Sequence, residues 1–216
     1  SGALTTWFRT IAGDPSFEQL LAEAGQAPPG ADGLVVLPYF AGERTPLFDP
    51  DARGVLAGLT LRHTRGDIYR AALEATAYGV RHNLHAMRDA GGRDRRLVAV
   101  GGGTKGGLWT QIVSDVLDAP QQLPRQTMGA CLGDALLAAI GIGQSPDMSS
   151  QWNPISTTIK PHPESTQTYD RCYALYRELY PNTRKITHAL AREQRRHHPL
   201  DGTTPESQIP HRTGGS

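Results

Sequence analysis

The stretch Leu97–Leu117 reads LVAVGGGTKGGLWTQIVSDVL, and its reading decides the fold. A short apolar run meets five glycines within seven residues, and an amphipathic segment follows. That is a strand, a turn and a helix in succession. Bare glycine backbone lets a ligand come close, and a helix start offers unpaired N–H groups and the positive end of the dipole. The turn therefore suits an anion or a nucleotide. A P-loop needs G-x-x-x-x-G-K-[ST]. Here Lys105 precedes Gly106, and no Gly-Lys-Ser or Gly-Lys-Thr occurs. Gly101-x-Gly103-x-x-Gly106 does match the dinucleotide pattern, which also requires an acid at the end of the next strand, about 20 residues on. Asp115 and Asp118 lie on or just after the helix, and the next strand ends in Pro124-Arg125. A Rossmann-type NAD(P) oxidoreductase is the weaker reading, and it demands parallel strands around Gly101–Gly106.

Working outward, the apolar spacing predicts a helix over 3–11, with Leu4, Trp7, Phe8 and Ile11 on one face. Ser16 can cap a second helix to about Ala24. Leu34–Phe40 reads as a buried strand and Val55–Leu59 as a short strand or turn. Between them, AGERTPLFDPDARG is a long ordered loop. Thr64 and Asp67 form a capping box for the longest helix, which runs to about Ala90. Leu73, Ala77, Val80, Leu84 and Met87 are its expected buried stripe. Strands follow at 96–100 and 121–124, and a nearly all-apolar buried helix from Ala130 to Ile140. Next come an exposed strand at 156–163 and a last helix from Glu164 that carries Tyr169, Tyr173, Tyr176 and Tyr180. Pro181 is expected to end or kink that helix. Strands alternating with helices give an α/β fold with a mixed sheet flanked by helices. The organisation is one domain over 1–191 and a disordered polar tail over 192–216.

Composition narrows the function. Lys plus Arg number 22 against 21 for Asp plus Glu, so no basic excess addresses nucleic acid. No apolar run approaches the roughly 18 residues of a membrane span. Cys131 and Cys172 stand far apart without metal-ligand spacing, which fits a reducing, cytoplasmic setting and neither a zinc site nor a disulfide framework. His197-His198 reads as a solvated pair. Glu74 lies in an apolar stripe and needs a partner if buried.

Four segments carry a family resemblance. VGGGTKGGLWTQIVSDVLDAP resembles the adenosine-binding segment of the FGGY carbohydrate kinases, whose usual form is Gly-Gly-Gly-x-Lys/Arg-Ser-x-x-Trp-x-Gln-x-x-Ala-Asp. LPYFAGERTPLFDPDARGVLAGL, RAALEATAYGVRHNL and GACLGDALLAAIGIG resemble the loop and two helices of xylulokinase-like members, in the family's order from about Gly2 to Ala191. Two positions depart: Gly106 stands where the family usually has Ser or Asn, and Ser114 replaces an Ala.

The resemblance implies the C-terminal domain of an actin-like (ribonuclease H-like) ATPase fold. It implies ATP with Mg2+, and γ-phosphoryl transfer to the hydroxyl of a sugar, a xylulose-like pentulose or polyol. It places Gly102 and Gly103 against adenosine, with Gly106 nearby. Lys105 would face ribose, phosphate or solvent. Gly2, Thr5 and Thr6 match a segment that approaches the nucleotide in related kinases. Gly129, Ala130 and Gly133 would pack closely near a hinge, and Glu43, Arg44 and Thr45 would steady the long loop. No residue here is named as a catalytic base or a metal ligand, Asp115 and Asp134 included. The first phosphate loop, the Asp base and most sugar contacts belong to an N-terminal sugar-binding domain that no part of this chain resembles. That domain is the expected partner, and this chain alone is expected to be inactive. A homodimer is allowed. A non-catalytic nucleotide-binding module, complete as it stands, is the alternative.

Overall fold

The computed structural model describes residues 2–93, 96–144 and 152–197. Two helices open it: α1 (Gly2–Ile11) and α2 (Phe17–Gln26). Ser16 Oγ accepts the Gln19 N–H at 3.1 Å and so caps α2 as the sequence predicts. In α1, Leu4 and Phe8 are buried, whereas Trp7 and Ile11 face outward. A 3-10 turn at Ala31–Gly33 leads into β1 (Val35–Leu37), which pairs antiparallel with β2 (Val55–Ala57). The buried strand is shorter than the apolar run, because the chain turns away at Pro38 to begin the long loop.

Helix α3 (Arg65–Asp89) starts at the expected capping box, with Thr64 N–H donating to Asp67 Oδ2 at 2.7 Å. Its first half is the centre of the molecule. Leu73, Ala77 and Tyr78 join Phe8, Leu20, Val35, Leu37, Ile112 and the tyrosines of the last helix in one core, while Ala71 and Ala75 pack on Leu34 and Val36. The expected stripe does not stay buried: Val80 and Met87 are exposed, because α3 runs past the elements that cover it.

A second sheet holds the glycine turn. β3 (Leu97–Val98) pairs parallel with β4 (Gln121–Pro124), which pairs antiparallel with β5 (Ile155–Ile159). The sheet is mixed, as expected, and the antiparallel β5 is at odds with a Rossmann arrangement. Helix α4 (Leu108–Leu117) joins β3 to β4 and buries Ile112, Val113 and Val116. Gln121 ties them together, donating from Nε2 to Thr110 O at 2.8 Å and to Ser114 Oγ at 2.9 Å.

Two expectations need correction. Helix α5 (Ala130–Gly141) is not buried: Ala139 alone among its residues is, and Leu137 is 68% exposed. Its apolar surface has too little of the described chain packed on it. Helix α6 (Pro163–His197) is not ended by Pro181. Proline removes one helix hydrogen bond, the one Arg177 O would accept, and the turn beside it carries two added side-chain bonds: Asn182 Nδ2 to Glu178 O at 2.9 Å and Thr183 Oγ1 to Leu179 O at 2.7 Å. The helix therefore carries on through residues 192–197, where the tail was expected to begin. His198 and the rest of that tail lie outside the described residues. Of the α6 tyrosines, Tyr169, Tyr173 and Tyr176 are buried in the core and Tyr180 is partly covered against it.

Candidate functional site

The glycine turn is built by backbone that only glycine adopts readily. Gly101 sits at φ 95°, ψ −178°, and Gly107 at φ 70°, ψ −50°. Between them Gly102–Gly106 forms a 3-10 turn, and α4 begins at Leu108. The turn is pinned from both sides. Gly101 N–H donates to Thr127 O at 2.6 Å, and Ala99 N–H to Gln122 O at 2.9 Å. Thr104, which is buried, donates from Oγ1 back to Gly101 O at 2.7 Å. Gly102 and Gly103 remain exposed, so their bare backbone faces outward.

At two of the expected glycines a β-carbon would crowd a neighbouring side chain. A β-carbon on Gly103 would lie 2.6 Å from the Trp109 ring. That ring cannot easily retreat, because its Nε1 donates to Thr76 Oγ1 at 2.7 Å. A β-carbon on Gly106 would lie 2.6 Å from Leu21 Cδ1. The departure from the family's Ser or Asn therefore coincides with a leucine of α2 filling that space. Leu21 was not singled out by sequence reasoning, since the contact spans most of a hundred residues.

The start of α5 belongs to the same place. A β-carbon on Gly129 would meet Val100 Cγ2 at 3.3 Å. A groove of about 410 Å³ runs from there between the sheet and α5, lined by Val98, Val100, Met128, Gly129, Leu132 and Gly133 among others. The structure thus gathers Gly102, Gly103, Lys105 and Gly106 with Thr104 and Gly129. Lys105 is exposed and has no ion pair among the described residues. Gly2, Thr5 and Thr6 are not tied to the turn by any hydrogen bond described. Thr5 Oγ1 donates to Gly2 O at 3.0 Å, and Thr6 O accepts from Thr10 Oγ1. Their helix packs elsewhere, through Phe8 on Tyr69 and Trp7 on Phe40.

Two of the acids, Asp115 and Glu74, hold the fold together. Asp115 Oδ1 accepts from Gln111 Nε2 at 2.8 Å and from His162 N–H at 2.7 Å, binding α4 to the start of α6. Asp134 is exposed on α5. Glu74 is fully buried, and its Oε1 accepts from Arg70 Nε at 2.9 Å, Gly30 N–H at 3.0 Å and Tyr169 OH at 3.1 Å. Burial pushes its carboxyl up to about 7, against the pull of Arg70 and these donors. Glu43 Oε1 accepts the Thr45 N–H within the long loop, and Arg44 is exposed. No group of three or more His, Cys, Asp or Glu side chains among the described residues could hold a metal ion. Both cysteines are free, and no described helix is long and apolar enough to cross a membrane.

Residues 2–142 match the model of the FGGY family of carbohydrate kinases, C-terminal domain. The xylulose kinase of Bacillus subtilis (strain 168) is 32% identical over 194 residues, which cover 88% of this chain and 39% of that protein. The gluconokinase of the same organism is 31% identical over 173 residues, covering 80% of this chain and 33% of that protein. Among solved structures, the xylulose kinase from Rhodospirillum rubrum superposes with a TM-score of 0.77 at 38% identity, covering 87% of this chain and 39% of that one. The chain spans about two-fifths of the xylulose kinases it matches.

Proposed function

The chain belongs to the FGGY family of carbohydrate kinases, whose C-terminal domain it matches, and on that premise we propose that its glycine turn holds the adenine-ribose half of ATP. The observation that carries this reading is the exposed backbone of Gly102 and Gly103 at the end of β3, held rigid by Thr104, Thr127 and Trp109. The adjoining groove has the apolar lining that a purine face needs. Lys105 stands free to meet ribose or phosphate, Gly106 borders the turn, and Gly2, Thr5 and Thr6 would close in from α1. We assign the domain to the actin-like, ribonuclease H-type ATPase fold, on its mixed sheet flanked by helices.

The reaction we assign to the whole enzyme is transfer of the γ-phosphoryl of Mg-ATP to a hydroxyl of a xylulose-like sugar. Such transfer rests on positioning and on neutralising phosphate charge, with a carboxylate to take the hydroxyl proton. Asp115, Glu74 and Glu43 are engaged in the fold and Asp134 lies exposed on α5, and following the family resemblance we assign that base, the sugar contacts and the magnesium to an N-terminal half of the same kinase. Helix α5 supports such a partner: Met128 before it and Leu137 and Ile142 on and after it are exposed, on a helix whose start at Gly129 lies against Val100. A cytoplasmic setting is part of this reading.

The test is calorimetric titration of the 216-residue chain with Mg-ATP and with NADH, beside an ADP-release assay with xylulose. ATP binding without sugar-dependent ADP release is expected, and Gly103→Ala should weaken ATP at least ~10-fold while leaving the far-ultraviolet spectrum unchanged. Preference for NADH, or no nucleotide binding, overturns the site. Turnover by the chain alone overturns the assignment of the base.

A further inference from the structure

The middle of the glycine turn rests on one indole. The ring of Trp109 reaches from Gly103 to α3, and its two edges meet different neighbours. The six-membered edge faces the turn: a β-carbon on Gly103 would lie 2.6 Å from Cε3 and 2.7 Å from Cζ3. The nitrogen, on the opposite edge, donates to Thr76 Oγ1 of α3 at 2.7 Å. An indole is planar and rigid, so an anchor at one edge fixes the other. The ends of the turn have supports of their own. Gly101 N–H donates to Thr127 O, Gly101 O accepts from Thr104 Oγ1, and Leu21 lies against Gly106.

Thr76 suits this task because of where its own proton goes. A hydroxyl has one proton and two lone pairs, whereas an indole N–H can only donate. Thr76 Oγ1 donates to Leu73 O at 2.7 Å, which leaves its lone pairs for Trp109. Trp109 is partly buried, and a tryptophan N–H taken out of water needs a partner. Valine has nearly the shape of threonine and no acceptor. In Thr76→Val the ring would turn until its N–H met water, and the six-membered edge would move with it against Gly103.

A binding group has to be held within about 0.5 Å of its productive place by neighbours that are themselves locked. We propose that Thr76 is a positioning residue for the nucleotide: through the Trp109 indole, its hydroxyl sets the place of the Gly103 backbone on which adenosine lies. This role presupposes the nucleotide reading of the turn, and it belongs to a residue of α3 that itself touches no ligand.

Two readouts on the 216-residue chain test it. The first is the indole region of a proton–nitrogen correlation spectrum, in which Trp109 is assigned by its loss in Trp109→Phe. Thr76→Val should shift that N–H signal and speed its exchange with solvent, and Thr76→Ser should keep both as in the wild type. The second is calorimetric titration with Mg-ATP at a temperature where every variant is folded. Thr76→Val should raise Kd at least ~5-fold, and Thr76→Ser should restore it to within about twofold. Thr76→Ala, which cannot crowd its neighbours, should repeat the valine result. Val116 is buried on α4 two turns beyond Trp109. Val116→Ala should lower the thermal midpoint by thinning the core and leave Kd within about twofold, which separates positioning from stability. Equal ATP affinity in wild type and Thr76→Val overturns the proposal and leaves the site standing. So does an indole signal that Thr76→Val does not move, or a loss of affinity as large in Val116→Ala. A wild-type chain that binds no Mg-ATP overturns the nucleotide reading, and the role of Thr76 with it.

Discussion

Asp49 fastens the long loop to α6. Its Oδ2 accepts from Tyr180 OH and His188 Nε2, each at 2.6 Å, and Oδ1 accepts the Asp51 N–H at 3.0 Å. Burial opposes ionisation, but these donors and the charge of His188 outweigh it and hold the carboxyl down at about 2, from 3.8. A depressed carboxylate stabilises the fold above its unfolded value and loses that contribution as pH falls through its folded value. The window is therefore pH 4 to 2. Asp49→Asn should cost ~2 kcal/mol at pH 4 and above, and the gap to wild type should close toward pH 2. Urea midpoints of both proteins at pH 7, 4 and 2.5 measure it; a constant gap would show that ionisation of Asp49 contributes nothing. Nothing in the sequence around Asp49 signals this, since Tyr180 and His188 lie more than 130 residues away. Glu74 was legible by contrast: an acid in an apolar stripe must find partners, and Arg70 one helical turn before it is the first of them.

At the scale of elements, legibility followed how local the determining interaction is. The α2 cap and the Thr64–Asp67 box are contacts within four residues, and both form as read. The strand–turn–helix at Gly101–Leu117 was also legible, because glycine spacing and apolar period both act locally. Burial along α3 was not, because period shows which face is apolar and not which elements arrive to cover it. Nor was the continuation of α6 beyond Pro181, where the loop 49–53 grips the helix: Arg195 Nη2 donates to Asp51 Oδ2 at 3.1 Å and Arg53 Nε to Gln194 Oε1 at 2.7 Å. The crossing of α2 and α3 gives a test of packing against propensity. A β-carbon on Gly66, in the first turn of α3, would lie 2.7 Å from Glu23 O of α2. Alanine gains up to about 1 kcal/mol over glycine inside a helix, and less in a first turn. Forcing backbone apart in a packed interior costs about 1–3 kcal/mol, and here it also spoils the Arg65–Glu23 pair, whose Nε–Oε2 bond is 2.8 Å. Gly66→Ala should therefore lower stability, read as an earlier denaturant midpoint. A later midpoint would mean that α2 slides away at no cost.

For the whole molecule, α5 is where local pattern and global structure disagree. Twelve residues that are nearly all apolar read as buried, yet the described chain leaves them largely in water, with Ile142 just beyond them 80% exposed. Single exposed apolar residues are ordinary, but an apolar face of this extent marks an interaction surface. Its start lies against Val100 beside the glycine turn, the chain spans two-fifths of a xylulose kinase, and under the proposed function the remainder of such a kinase is the partner for this face. The consequence separates two kinds of stability. In the chain by itself Leu137 has few contacts to lose, so Leu137→Lys should leave the thermal midpoint within about 2 °C, the shift expected for less than ~0.5 kcal/mol. The same change should raise the concentration at which the chain precipitates, because it breaks the patch with a charge. Joined to the N-terminal half of a xylulose kinase, the lysine would have to be buried without a partner, and the half-domains should associate at least ~10-fold more weakly. Light scattering of the chain and co-purification of the two halves read both effects. A large fall in the thermal midpoint would mean that α5 is already packed within this chain. Unchanged association would mean that the partner half docks on another face.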